Sequence, residues 1–248
     1  MKNENYVNLV NRSHLMYWDM LGKLRGIENH CSDGLRWLTG DVAYNYFTDT
    51  SDTDGVISRM RNNEIPKNLT FPAVEKPCQQ TEAFMATGLF TSETVTGMAH
   101  KLDDVLLPKP DKRLNVFRVN EISQLKAAGA ILNSAFEYKL FSFEHYIDMM
   151  KNDGQYFYLA EYDGLPVGAC MSIHGDDFIG ISWVGTLPGY RKLGIAGYLI
   201  QEAEYEGIKH GKTIGVLGAY PGAVGAYKRV GYREYCYTII LELRDSEE

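Results

Sequence analysis

The spacing of apolar residues divides the chain into alternating helical and extended segments. Tyr6, Leu9, Val10, His14, Met16, Tyr17, Met20 and Leu21 recur at intervals near three and four and predict an amphipathic helix over residues 5–25, with Gly22 and Gly26 placed to end it. Residues 34–47, carrying Leu35, Trp37, Leu38, Val42, Tyr44, Tyr46 and Phe47, read as one or two aromatic strands, and 48–55 as an acidic loop. A short helix is predicted over 56–62, a strand over 69–74 and a helix over 79–87 that Gly88 stops. Pro72 puts the strand at an edge or a break, because proline cannot donate to a ladder.

The pattern sharpens after residue 113. A strand over 114–119 leads into Ile122, Leu125, Ala128, Leu132 and Phe136 at helical spacing, and a second helix covers 143–151. Strands over 156–162 and 167–173 flank Asp163-Gly164, a dipeptide suited to the positive φ angles of a tight hairpin. A third strand, 178–187, completes an antiparallel meander. A helix over 197–210, a strand over 213–219, a short helix over 223–229 and a closing strand over 234–243 follow. The order β-α-α-β-β-β-α-β-α-β predicts an α/β fold of the α+β type: a mixed, mostly antiparallel sheet flanked by helices. Residues 107–113, with Pro108, Pro110 and three basic residues, suit neither a helix nor a central strand and read as a linker between a 1–106 α/β region and a 114–248 domain.

Composition narrows the class. Hydrophobic residues make up 45% and charged residues 23%, values of a globular protein, and the 248 residues suffice for one large or two small cores. No apolar run nears the roughly 20 residues that span a bilayer, and Met1-Lys2-Asn3-Glu4-Asn5 lacks a signal-peptide core, so a cytoplasmic protein is expected. Cys31, Cys78, Cys170 and Cys236 are scattered, form no Cys-x-x-Cys pair and are expected as buried reduced thiols rather than zinc ligands. The aspartates of 48–55 lack a glutamate at the twelfth position of a calcium loop and are read as a solvated turn; no metal is expected. A net charge of −7 argues against nucleic acid as a partner.

The chemistry centres on Arg191-Lys192-Leu193-Gly194-Ile195-Ala196-Gly197, between a strand and a helix. Unpaired N–H groups at a helix start and the helix dipole favour an anion there, and small residues let a phosphate approach the backbone. Pro188-Gly189-Tyr190-Arg191-Lys192-Leu193-Gly194-Ile195-Ala196 resembles the Arg/Gln-x-x-Gly-x-Gly/Ala turn of the GNAT superfamily of acetyl-CoA-dependent N-acetyltransferases. Ala223 to Tyr232 resembles that family's Ala-x-x-x-Tyr-x-x-x-Gly-Phe segment, with Tyr for Phe. The two motifs lie about 30 residues apart in the family's order, and the resemblance covers roughly 114–243.

The resemblance implies a set of roles. Val184, Gly185 and Thr186 would hold the pantetheine arm where two strands splay, and N–H groups from Lys192 through Gly197, together with Arg191, would take the pyrophosphate. Leu193 stands where the family often has glycine, so its side chain must point away. Tyr220 occupies a cofactor-contact position where the family usually has asparagine. Tyr227 would be the catalytic acid that protonates the departing thiolate. The strand before the turn, 181–186, carries no carboxylate; Ser182, His174, Asp176 and Glu137 are near candidates for a general base, and none is assigned. The implied activity is direct acetyl transfer from acetyl-CoA to a small-molecule or peptide amine by a monomer or homodimer without membrane partners. A non-catalytic acyl-CoA sensor is the alternative. A dinucleotide-dependent oxidoreductase fits less well, for want of a Gly-x-Gly-x-x-Gly turn in a βαβ unit. The first 106 residues are either a degenerate GNAT-like half or an extension over the sheet edge.

Overall fold

The computed structural model describes residues 3–40, 47–48, 50, 52–76, 79–104, 112–136 and 141–244. Cys78, Glu137 and positions 107–111 of the expected linker lie outside them. The N-terminal region runs α1 (Asn3–Leu21), β1 (Ile27–Ser32), β2 (Leu35–Gly40), β3 (Phe47–Thr48), α2 (Thr53–Arg61), β4 (Asn68–Thr70), α3 (Gln79–Ala86) and β5 (Leu89–Lys101). The C-terminal region runs β6 (Leu114–Arg118), α4 (Ile122–Ala135), α5 (Phe143–Met150), β7 (Gln155–Tyr162), β8 (Leu165–His174), β9 (Phe178–Thr186), α6 (Ile195–Lys209), β10 (Ile214–Ala219), α7 (Val224–Arg229) and β11 (Arg233–Leu243).

The eleven strands among the described residues form one sheet in the order β1-β2-β3-β4-β11-β5-β10-β9-β8-β7-β6. The order of elements repeats: a three-strand meander, a helix, a strand parallel to the last meander strand, a helix and a closing strand occur once as β1 to β5 and again as β7 to β11. The closing strands are exchanged. β5 of the first repeat pairs antiparallel with β10 of the second, and β11 of the second pairs antiparallel with β4 of the first. β5 and β11 pair with each other from Arg233↔Ala99 to Leu243↔Leu89. The sheet is therefore continuous from one side of the expected linker to the other.

Local chemistry accounts for the element ends. Gln124 accepts from the backbone N–H of Glu121, closing a capping box at the start of α4, and Ser142 accepts from His145 N–H at 3.3 Å to start α5. Asp163 and Gly164 have φ of 51° and 78°, as a two-residue hairpin turn requires. The strand expected over 69–74 stops at Thr70, before Pro72, and resumes only as a single bridge from Val74 to Tyr237.

Helices cover both faces of the second repeat. α1, α4 and α5 pack one face through Trp18, Leu125, Leu132, Tyr146, Met171 and Ile173. α6 packs the other through Ile195, Leu199, Ile200 and Ala203 against Tyr158, Cys170, Ile179 and Ile181. Of the thiols, Cys170 and Cys236 are buried and free as expected, whereas Cys31 is exposed on the edge strand β1, in which only Ile27 is buried.

Candidate active site

β9 and β10 are parallel neighbours only from Ile214↔Phe178 to Leu217↔Ile181. Beyond that last pair β9 continues to Thr186 and β10 to Ala219 without pairing, so the two strands part. The parting follows from a distortion in β9. Trp183 has φ of 50°, and the β8–β9 register shifts between Ala169 and Met171. A non-glycine residue in the left-handed region costs about 1 kcal/mol or more, and such strain is kept where the surroundings enforce it.

The gap opens into a cleft of about 210 Å³ lined by Ala135, Phe136, Val184, Gly185, Thr186, Arg191, Ala196, Ala223, Ala226 and Tyr227. Six expected site residues, Val184, Gly185, Thr186, Arg191, Ala196 and Tyr227, thus line one cleft. Small residues make the meeting possible: a side chain at Gly185 would come within 2.9 Å of the Ala135 Cβ at the end of α4. Thr186 Oγ1 is buried and has no hydrogen-bond partner. A buried hydroxyl left unmatched costs about 1–3 kcal/mol, so this wall of the cleft fits a polar ligand that supplies the missing bond.

The turn before α6 presents its backbone. Lys192 and Gly194 have φ of 67° and 80°, and alternation of this kind curves a chain so that successive N–H groups converge. Within the turn Tyr190 N donates to Leu187 O and Arg191 N to Pro188 O, while Gly197 N and Tyr198 N both donate to Gly194 O. The amides of Lys192, Leu193, Gly194, Ile195 and Ala196 take part in none of these bonds. They remain available to an anion, and the positive end of α6 reinforces them. Gly197 departs from the expectation. α6 begins at Ile195 rather than 197, so the Gly197 amide is already committed within the helix. Its lack of a side chain serves packing instead, since a Cβ there would press Val230 at 3.1 Å.

Arg191 also differs from a free phosphate ligand. Its guanidinium donates to Thr186 O at 3.3 Å and to Ala135 O at 3.4 Å, stapling the turn to the ends of β9 and α4. Leu193 is 48% exposed, clear of the turn's inner side. Tyr220 is equally exposed and is not part of the cleft wall.

Tyr227 sits half-buried on α7, its ring 6.5 Å from that of Tyr232. Burial, with a smaller contribution from Cys170, pushes its phenol up to about 12. It therefore stays protonated throughout the physiological pH range. Burial raises the Cys170 thiol as well. A sulfur held in the same surroundings would likewise gain basicity, which narrows the mismatch between phenol and thiolate.

Of the candidate bases, Glu137 lies outside the described residues, and His174, Asp176 and Ser182 are not among the residues that line the cleft. His174 pairs with Ile179, six residues before Gly185 along β9, which at about 3.3 Å per residue is roughly 20 Å away. Burial, then the neighbouring His210 and Lys212, lower its pKa to about 4, and its ring packs on Tyr156 and His210. Asp176 is exposed and paired with Arg12. Ser182 lies on β9 opposite Met171, one residue past the last β9–β10 pair, and is not among the residues that line the cleft.

The corresponding turn of the first repeat has the opposite character. Asp52 caps α2 by accepting from Gly55 N–H at 3.0 Å, and Asp54 occupies the first turn. Two carboxylates already satisfy and neutralise that helix start, so a phosphate would be repelled there. No group of His, Cys, Asp and Glu that would hold a metal occurs among the described residues, nor does any described helix have the length and apolarity to cross a membrane.

Residues 125–232 match the model of the Acetyltransferase (GNAT) family. This segment is a GNAT acetyltransferase domain. The match takes in the β9–β10 gap, the turn and Tyr227. No curated protein matches the chain in sequence. Among solved structures, a GCN5-related N-acetyltransferase from Kribbella flavida aligns over 96% of both chains with a TM-score of 0.73 at 18% identity. One from Sphaerobacter thermophilus aligns over 88% of this chain and 84% of its own, with a TM-score of 0.65 at 17% identity. A tandem GNAT protein from the clavulanic acid biosynthesis pathway aligns over 96% of this chain and 97% of its own, with a TM-score of 0.64 at 13% identity. At these identities the likeness is one of fold, and it extends beyond the GNAT domain to the first repeat.

The contact beneath the turn gives a direct test of how tightly it must be held. A side chain at Gly168 of β8 would approach Ile195 Cγ2 at 2.7 Å and Leu199 Cδ1 at 3.1 Å. Gly168→Val should therefore lift the start of α6 and cost about 1–3 kcal/mol of stability in denaturant unfolding. Unchanged stability would show that α6 need not sit so close.

Proposed function

We propose that the protein transfers an acetyl group from acetyl-CoA to a primary amine of a small molecule or peptide. The observation that carries this reading is that the open β9–β10 gap, Arg191, Ala196 and the protonated Tyr227 phenol share one cleft, with the uncommitted amides of residues 192–196 on the turn that borders it. The co-substrate supplies a thioester whose acyl group an amine can capture directly. The turn binds the pyrophosphate through backbone N–H groups, and Arg191 keeps that turn in shape. The unpaired edge of β9 at Val184 to Thr186, with the Thr186 hydroxyl, hydrogen-bonds the pantetheine arm and polarises the carbonyl oxygen. Tyr227 holds a proton for the sulfur, and Ala223, Ala226 and Ala196 leave room for the arm. The first repeat, with its aspartate-capped α2, is a GNAT-like half that has no donor site of its own.

Release of CoA thiol across a panel of amines, with the acetylated product identified by mass spectrometry, tests the reading. Thiol release that depends on the amine supports it. A second reading, an acyl-CoA sensor without turnover, has one observation in its favour: among the described residues the cleft wall contains neither a carboxylate nor an imidazole. Acetyl-CoA binding without thiol release from any amine would establish the sensor and remove the enzyme.

A further inference from the structure

α1 crosses the sheet on the face opposite α6, and glycines let it lie close. A side chain at Gly97 would press Val10, one at Gly180 would collide with Ser13, and one at Gly218 would stand 3.7 Å from His14 Nε2. Gly218 is the first residue of β10 past the last β9–β10 pair, Leu217↔Ile181. One turn further along α1, the Tyr17 ring meets Trp183 of β9 edge-on, with centroids 5.4 Å apart. Trp183 is the distorted residue at which β9 leaves its partner. Residues three apart are neighbours on a helix. A single turn of α1 therefore bridges the parting strands, with His14 over β10 and Tyr17 over β9.

His14 makes no hydrogen bond to any described residue, and its ring nitrogens are uncommitted. The elements facing it bring Gly218 of β10 and Val95 of β5, and Ser13 and Tyr17 flank it on α1. No charged side chain acts on it; burial alone lowers its pKa, to about 4. It is neutral throughout the physiological range.

We propose that His14 is the proton acceptor for the attacking amine, which enters the gap from the α1 face while the acetyl donor is held from the α6 face. The assignment rests on the acetyl-transfer reading and supplies the base that the cleft wall lacks. The amine nitrogen forms its bond to the thioester carbonyl carbon, the carbon–sulfur bond breaks, and the nitrogen's surplus proton passes to a ring nitrogen of His14. The sulfur takes the Tyr227 proton, and both side chains return to their starting states by exchange with solvent. A neutral imidazole with a lowered pKa is a weak base at rest. Negative charge that develops on the carbonyl oxygen as the amine attacks raises its basicity, toward the range in which proton transfer is efficient.

His14→Ala and His14→Gln test the assignment, with acetyl-CoA affinity and thermal unfolding measured beside turnover of the amine that the unaltered enzyme uses best. His14→Ala should keep its fold and its acetyl-CoA affinity, lose about a hundredfold in kcat, and recover part of it when imidazole is added. His14→Gln should be as slow and gain nothing from imidazole, because its side chain fills the space. A His14→Ala enzyme within a few fold of the unaltered one, or one whose loss imidazole does not relieve, overturns the assignment. If the unaltered protein releases no thiol with any amine, the acetyl-transfer reading itself fails. A fully active His14→Ala variant beside an active parent removes this assignment alone.

Discussion

Tyr227→Phe should lower kcat by about 10²–10³-fold while leaving acetyl-CoA affinity within a factor of a few. The expectation follows from where the hydroxyl stands and what its surroundings do to it. Tyr227 lines the cleft opposite Val184 and Gly185, and burial pushes its phenol up to about 12. The loss of a positioned acid typically costs 10²–10⁴ in rate, and a desolvated donor belongs in that range rather than below it. The ring itself contributes packing near Tyr232, and phenylalanine keeps it. The pH profile adds a second readout. Because the phenol's pKa is raised, its acidic form persists as pH rises, and kcat of the unaltered enzyme should show no fall between pH 7 and 10 from this group. A Phe variant with unchanged turnover across that range would remove Tyr227 from the chemistry.

The second large effect concerns stability. Glu204 of α6 is fully buried, and its Oε1 lies 3.0 Å from Nδ1 of His100 on β5. The Tyr232 phenol beside them is raised well above its usual range by burial and by the Glu204 carboxylate. This contact joins the exchanged strand of the first repeat to the helix that carries the donor site. His100→Ala would leave the carboxylate buried without that partner. Breaking a buried pair from one side costs about 3–5 kcal/mol, which for a chain of this size lowers the melting temperature by roughly 6–20 °C. His100→Gln, which retains a donor, should recover part of the loss. A change in stability below about 1 kcal/mol in denaturant unfolding would show that β5 is held to α6 by the sheet alone.

Much of the second repeat was legible in the chain because its signals are local. Asp163-Gly164 takes the positive φ angles its composition suggests, the apolar spacing of Leu125, Ala128 and Leu132 marks the buried face of α4, and Gly194 starts α6 in the left-handed conformation that glycine allows. The first repeat was harder to read. β1 carries Glu28, Asn29, His30 and Ser32 on an edge strand with one buried residue, Ile27, so no period-two pattern marks it. The exchange of β5 and β11 is invisible locally, since a strand's partner is set by register and packing far away in sequence.

The site divides in the same way. The turn and Tyr227 follow short motifs, and Arg191, Ala196 and Tyr227 line one cleft. Commitment of the Gly197 amide, the stapling role of Arg191 and the exposure of Tyr220 depend on tertiary hydrogen bonds and packing that no spacing reveals. His14 was visible only as one residue of an amphipathic helix; its place at Gly218 comes from α1 docking on small residues of three different strands.

The central claim is that the gap between β9 and β10 and the turn at 191–197 form the acyl-CoA site. Hydrogen exchange of the full chain with and without acetyl-CoA tests it most directly, because it reports on the amides themselves. Added acetyl-CoA should slow exchange in peptides covering residues 184–198 and leave the aspartate-capped start of α2, 52–56, unchanged. Protection confined to other segments, or acetyl-CoA binding that leaves 184–198 unprotected, would contradict it.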